Sequence, residues 1–128
     1  MGQVLVTRPV EAGPPVLALT GEWDAADEQL EESLLAHLQA GDGHLVIDML
    51  NVSFIDSSVV RALVAGHREA AARDGWVRLV YTHHVIRRVI EICGLTELFP
   101  QFGSVEAAMR GHERHGGEAL AVEDGRTR

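Results

Sequence analysis

The chain has 128 residues, 46% of them hydrophobic and 23% charged, the make-up of one soluble globular domain with a single core. Eleven Lys and Arg stand against nineteen Asp and Glu, a formal net charge of −8; this excludes the basic patch that direct nucleic-acid binding or an anionic membrane surface requires. No apolar run approaches the roughly 18–20 residues of a membrane span, the first residues lack a signal-peptide pattern, and the lone Cys93 permits no intrachain disulfide and points to a reducing, cytoplasmic setting.

Gln3 to Arg8 alternates Val4 and Val6 with other residues, the period of a strand with one solvated face. Pro9 to Pro15, with three prolines and a glycine, is turn chemistry. Val16 to Thr20 reads as a second strand paired antiparallel with the first, ended by Gly21-Glu22. Asp24 is placed to N-cap a helix, with Asp27 and Glu28 in its first turn and Leu30, Leu34, Leu35 and Leu38 on its apolar face. Gly41-Asp42-Gly43 stops that helix, and the nearly continuous apolar run His44 to Leu50 is expected as an interior strand buried on both faces.

A short turn, Asn51 to Ile55, is expected next, and then a helix from Val59 to Arg73. Its inward stripe is read as Val60, Leu63, Val64, His67 and Ala71, with Arg61, Arg68, Glu69 and Arg73 outward. Asp74-Gly75 leads into a strand from Trp76 to Tyr81. His83 to Cys93 is a further helix with Val85, Ile86, Val89, Ile90 and Cys93 inward, capped by Gly94. Leu98, Phe99 and Phe102 can cover an open end of the core, and Ser104 caps a last short helix. From Gly111 onward the pattern fails, so residues 111–128 are expected to form a disordered tail. The alternation of strands and helices implies right-handed crossovers and parallel pairing, hence a small α/β sheet of about four strands with helices packed against it.

Little of this points to catalysis. Ser57 lacks the Gly-x-Ser-x-Gly surround of a hydrolase elbow, and no Gly-rich phosphate loop precedes a lysine. The seven histidines have no Cys or carboxylate cluster at ligand spacing, so neither a metal nor another cofactor is expected, and Cys93 on an apolar stripe reads as a core residue. The expectation is a protein that is not an enzyme. Asp56-Ser57-Ser58 stands apart. A strand-to-helix turn prefers Asp or Ser as an N-cap, and the triplet could have that role alone. It also lies at the C-terminal end of an interior parallel strand, where α/β sheets present their ligand-facing loops. A phosphate on a serine there would add about −1.5 to −2 charges, tolerated at a helix N-terminus yet repelled by an acidic partner. Both readings stand on the residues alone.

The segment Asp48-Met-Leu-Asn-Val-Ser-Phe-Ile-Asp-Ser-Ser58 resembles the signature of the STAS domain as found in bacterial anti-sigma-factor antagonists. Thr20-Gly-Glu-Trp-Asp24 is similar to that family's Gly-Glu-Leu-Asp. Val85-Ile-Arg-Arg-Val-Ile-Glu-Ile-Cys-Gly-Leu95 is similar to its helix ending in Gly-Leu, and Phe102-Gly-Ser-Val-Glu-Ala-Ala to its closing helix. The resemblance implies a STAS domain over residues 1–110. It implies that the unphosphorylated protein binds an anti-sigma factor that is also a GHKL-type serine kinase, releasing the sigma factor. Phosphorylation at Ser57 would switch this off, and a PP2C-type phosphatase would reverse it. The family commonly continues Ser-Ser-Gly-Leu-Gly, whereas this chain reads Ser57-Ser58-Val59-Val60-Arg61. The expected partner-binding set is therefore Asp24, Asp56, Ser57, Ser58, Val59 and Arg61, with Val59 placed where a partner's backbone approaches. Two alternatives accompany this reading: an unswitched STAS scaffold within a larger signalling or transport complex, and a Ser57 nucleophile activated by a nearby histidine.

Overall fold

The computed structural model describes residues 2–23 and 28–111. Strand β1 (Gly2–Arg8) pairs antiparallel with β2 (Val16–Trp23) through a link that contains one 3₁₀ turn, Val10–Ala12. Proline fixes the backbone of this link, and Arg8 Nη2 closes it by donating to the Ala12 carbonyl at 2.9 Å. From β2 the chain alternates: helix α1 (Glu28–Ala40), strand β3 (His44–Ile55), helix α2 (Ser57–Ala72) and strand β4 (Trp76–Val80). The sheet order is β1-β2-β3-β4, with β2, β3 and β4 parallel. Helices α3 (His84–Ile92) and α4 (Val105–Arg110) complete the domain. The mixed four-stranded sheet with packed helices is the expected architecture.

The main core lies between one face of the sheet and α1, α2 and α3, and joins Leu17, Leu19, Leu30, Leu34, Leu45, Ile47 and Leu63, among others. A smaller cluster of Val16, Val46, Val80, Phe102 and Ala108 sits on the opposite face with α4. Leu45, Val46 and Ile47 are all 0% exposed, so β3 is covered on both faces at this point, the reason its sequence lacks alternation. Tyr81 pins the chain after β4: its hydroxyl donates to the Phe99 carbonyl at 2.9 Å, and Gln101 Nε2 donates to the Tyr81 carbonyl at 2.9 Å.

The expected turn at 51–55 is instead strand. Its residues pair with β2 through two register shifts, and the buried positions run Leu45, Ile47, Met49, then Val52, then Ile55. Each step of three marks an inserted residue, a β-bulge that twists the strand without ending it. Gly21 does not end β2 either, because its φ of 97° accommodates one of these bulges at no steric cost. The inward stripe of α2 is also displaced by one residue. Val59, Val60, Ala62, Leu63, Gly66 and Ala70 are buried, while Ala71 is exposed. Gly66 packs against α1, where an added Cβ would meet Leu34 Cδ1 at 3.6 Å. Cys93, expected inside, is exposed, because α3 ends at Ile92 and Cys93 is its C-cap residue. The expected Asp24 cap and the expected tail, apart from Gly111, lie outside the described residues.

Candidate functional site

The last seven residues of β3 run on beyond its final pair with β4, Asp48 with Val80, and are held by β2. At the tip, the backbone N–H of Asp56 donates to the Trp23 carbonyl at 3.0 Å. This bond fixes the exit from β3 against the end of β2, and Asp56 takes extended dihedrals (φ −114°, ψ −174°) as the N-cap of α2. The helix therefore begins at Ser57, two residues earlier than its periodicity suggests. The cap arises locally. Asp56 Oδ1 accepts from the backbone N–H of Ser58 at 3.0 Å and of Val59 at 3.3 Å, and from the Ser58 hydroxyl at 2.5 Å. Two of the four orphan donors of the helix start are thereby satisfied.

The same bonds set the electrostatics. The Ser58 hydroxyl above all, then the N–H groups of Val59 and Ser58, hold the Asp56 carboxyl below its ordinary value, against an opposing push from partial burial. Asp56 is a carboxylate at neutral pH, and its charge sits at the positive end of a 16-residue helix.

Ser57 is exposed in the first helical turn, and its hydroxyl makes no hydrogen bond to any described residue. Arg61, one turn further on, is also exposed, whereas Asp56 and Ser58 are half-buried. Val59 is 0% exposed and belongs to the main core. Its placement as a contact for a partner's backbone is thus corrected: at the third helical position its side chain is packed into the core and out of a partner's reach. Asp24 lies outside the described residues. The site's described members are Asp56, Ser57, Ser58 and Arg61. Two further features of the site carry little or no sequence signal. The Trp23 carbonyl that anchors the cap carries no sequence signal, because it acts through strand pairing. Phe54, 40% exposed and three residues before Ser57, was visible only as the aromatic of the motif.

No described histidine hydrogen-bonds to Ser57. His37 Nδ1 contacts the Ser33 carbonyl in α1, and His44 stacks on Trp76 at the other end of β3. His67 meets the edge of Phe99 at 6.0 Å, and His83 caps α3 by accepting from the Val85 N–H at 3.1 Å. Among the described residues no group of three or more His, Cys, Asp or Glu side chains is placed to hold a metal ion, and no helix is long and apolar enough to cross a membrane. A cleft of about 390 Å³ lies between α3 and the following loop, lined by Tyr81, Arg87, Glu91, Glu97 and Gln101 among others; it contains none of Asp56, Ser57 or Ser58.

The STAS domain profile matches residues 6–108. BtrV of Bordetella bronchiseptica, assigned as an anti-sigma factor antagonist, is 30% identical over 97 residues, which span 75% of this chain and 84% of BtrV. An anti-sigma factor antagonist from Mycobacterium paratuberculosis superposes with a TM-score of 0.75 at 26% identity, over 87% of this chain and 93% of that one. The anti-sigma factor antagonist SpoIIAA, solved in its unphosphorylated form, gives 0.69 at 27% identity, over 87% and 96%.

Proposed function

The chain belongs to the STAS domain family, and from that premise we propose that it acts as an anti-sigma factor antagonist controlled by phosphorylation at Ser57. The observation that carries this reading is the pairing of an exposed Ser57, whose hydroxyl bonds to no described residue, with the Asp56 cap that presents it. In this reading the unphosphorylated protein binds an anti-sigma factor of GHKL-type kinase activity, using the surface around Ser57, Arg61 and Phe54, and so frees a sigma factor. It is itself a binding module, works in the cytoplasm and catalyses nothing.

The switch is electrostatic. The Ser57 hydroxyl oxygen attacks the γ-phosphorus of the kinase's ATP, ADP leaves, and the hydroxyl proton passes to a base of the kinase. The product carries about −1.5 to −2 charges beside the Asp56 carboxylate. The helix N-terminus lowers the cost of that charge to the fold, while a partner surface packed against Ser57 meets a large hydrated group whose charge an acidic contact repels. Binding changes and the domain stays folded. A PP2C-type phosphatase restores the hydroxyl. Of the two departures that motivate an unswitched scaffold, Val59 lies in the core, whereas Arg61 is exposed one turn from Ser57.

Incubating the protein with its anti-sigma factor and ATP, then mapping the modification by mass spectrometry, tests this reading. Phosphate on Ser57, with none in Ser57→Ala, supports it. An unmodified protein in a stable complex with that factor would instead identify an unswitched scaffold.

A further inference from the structure

Three of the six large hydrophobic side chains that stand exposed among the described residues are consecutive: Val4 at 37%, Leu5 at 63% and Val6 at 45%. They sit on β1, an edge strand of seven residues whose members from Gln3 to Thr7 are all exposed. Val4 and Val6 pair with Leu19 and Leu17 of the main core, and Leu5 pairs with Ala18, so apolar surface emerges on both faces of the sheet. Edge strands are normally guarded by lysine, proline, a bulge or an inward charge. Here the bulge near Thr7, Arg8 and Pro9 come only at the strand's end, and Gly2 to Val6 is unguarded.

The strand is also self-complementary. Read in both directions from Leu5, valine answers valine and Gln3 answers Thr7. We propose that β1 is a homodimer contact: two copies of this chain pair their β1 edges antiparallel about a twofold axis at Leu5, joining two sheets of four strands into one of eight. In that register Leu5 meets Leu5 of the partner copy on one face, and Val4 meets Val6 on the other. An isologous contact of this kind needs a surface complementary to itself, which a palindromic strand supplies. Charge agrees: each copy carries a formal −8, yet β1 holds no acidic residue, and each Arg8 lies opposite Gly2 rather than opposite the other Arg8. The contact is one strand wide, less than the roughly 1,200 Å² of stable interfaces, so the dimer is weak and concentration-dependent. It does not rest on the regulatory reading of Ser57, which lies in α2.

Sedimentation equilibrium on the full chain, up to about 1 mM, should show monomer and dimer in exchange. Leu5→Lys, which sets two like charges face to face, should weaken dimerisation at least about tenfold while leaving the thermal midpoint of the monomer unchanged. Cross-linking reads the register directly. In a Cys93→Ser background, Leu5→Cys should oxidise to a disulfide-linked dimer, because directly opposed Cα atoms lie about 4.5–5.5 Å apart. Gln3→Cys should not cross-link to itself, its two copies being about 13 Å apart along the strand, but should cross-link to Thr7→Cys. A monomer at every concentration, a dimer indifferent to Leu5→Lys, or equal self-cross-linking of Gln3→Cys and Leu5→Cys would each overturn the proposal.

Discussion

Replacing Val59 by glycine, the residue common at this place in the family, separates a core role from a surface role. Val59 is 0% exposed, packed in the main core. Its removal takes away three carbon atoms, worth about 0.8 kcal/mol each in transfer free energy, or about 2.4 kcal/mol. The cavity left behind and the poorer helix propensity of glycine bring the loss to about 3 kcal/mol. A domain of this size is stable by only about 5–15 kcal/mol, so the melting temperature should fall by roughly 12–20 °C. Urea unfolding followed by the fluorescence of Trp23 and Trp76 measures it, with Arg61→Ala, an exposed substitution, expected within about 0.5 kcal/mol of the parent. A Val59→Gly protein as stable as the parent but altered in partner binding would refute the placement of Val59 in the core.

Two other outcomes follow from the site and from the end of α3. Asp56→Ala should destabilise by about 1 kcal/mol through loss of the N-cap, and Asp56→Asn by less, since asparagine also caps. Because the folded carboxyl lies below its ordinary value of 3.8, the charge contributes stability above that value. The contribution is lost as pH falls through the lower, folded value, so the gap between parent and Asp56→Asn measured by urea unfolding should narrow as the pH is taken below 3.8. Cys93 is exposed at the C-cap of α3; a thiol reagent should titrate one equivalent in the native protein without urea, and protection of that thiol would restore the expectation of a core cysteine.

The elements were legible where one physical signal dominated. The double-sided burial of β3 follows from an apolar run that has no alternation, and the end of α3 from Gly94, whose φ is 72°. The misreadings share a different cause. Gly21 and the Asn51–Ile55 segment look like breaks, and only the pairing of β2 with β3 turns them into bulges inside continuous strands. In α2, Gly66 and Ala70 belong to the buried stripe, but small side chains weigh little in a hydrophobic pattern, so the apolar periodicity points to a stripe one residue late that leaves Val59 out. The local chemistry of Asp56-Ser57-Ser58 was visible as a cap and as an exposed hydroxyl at once, and the geometry makes these one arrangement. Asp56 does the capping, which frees Ser57 to face solvent. The Trp23 carbonyl that holds Asp56 in place depends on contacts distant in sequence and was beyond reach.

In the proposed switch, negative charge at Ser57 changes partner binding without unfolding the domain. The most direct measurement is the affinity of the anti-sigma factor for the parent, Ser57→Ala and Ser57→Asp proteins by isothermal titration calorimetry, with melting temperatures taken on the same samples. A like charge set into a contact costs several kcal/mol, so Ser57→Asp should bind at least about 30-fold more weakly, Ser57→Ala should bind as the parent does, and all three should melt within a few degrees of one another. Equal affinity for Ser57→Asp and the parent would contradict the account.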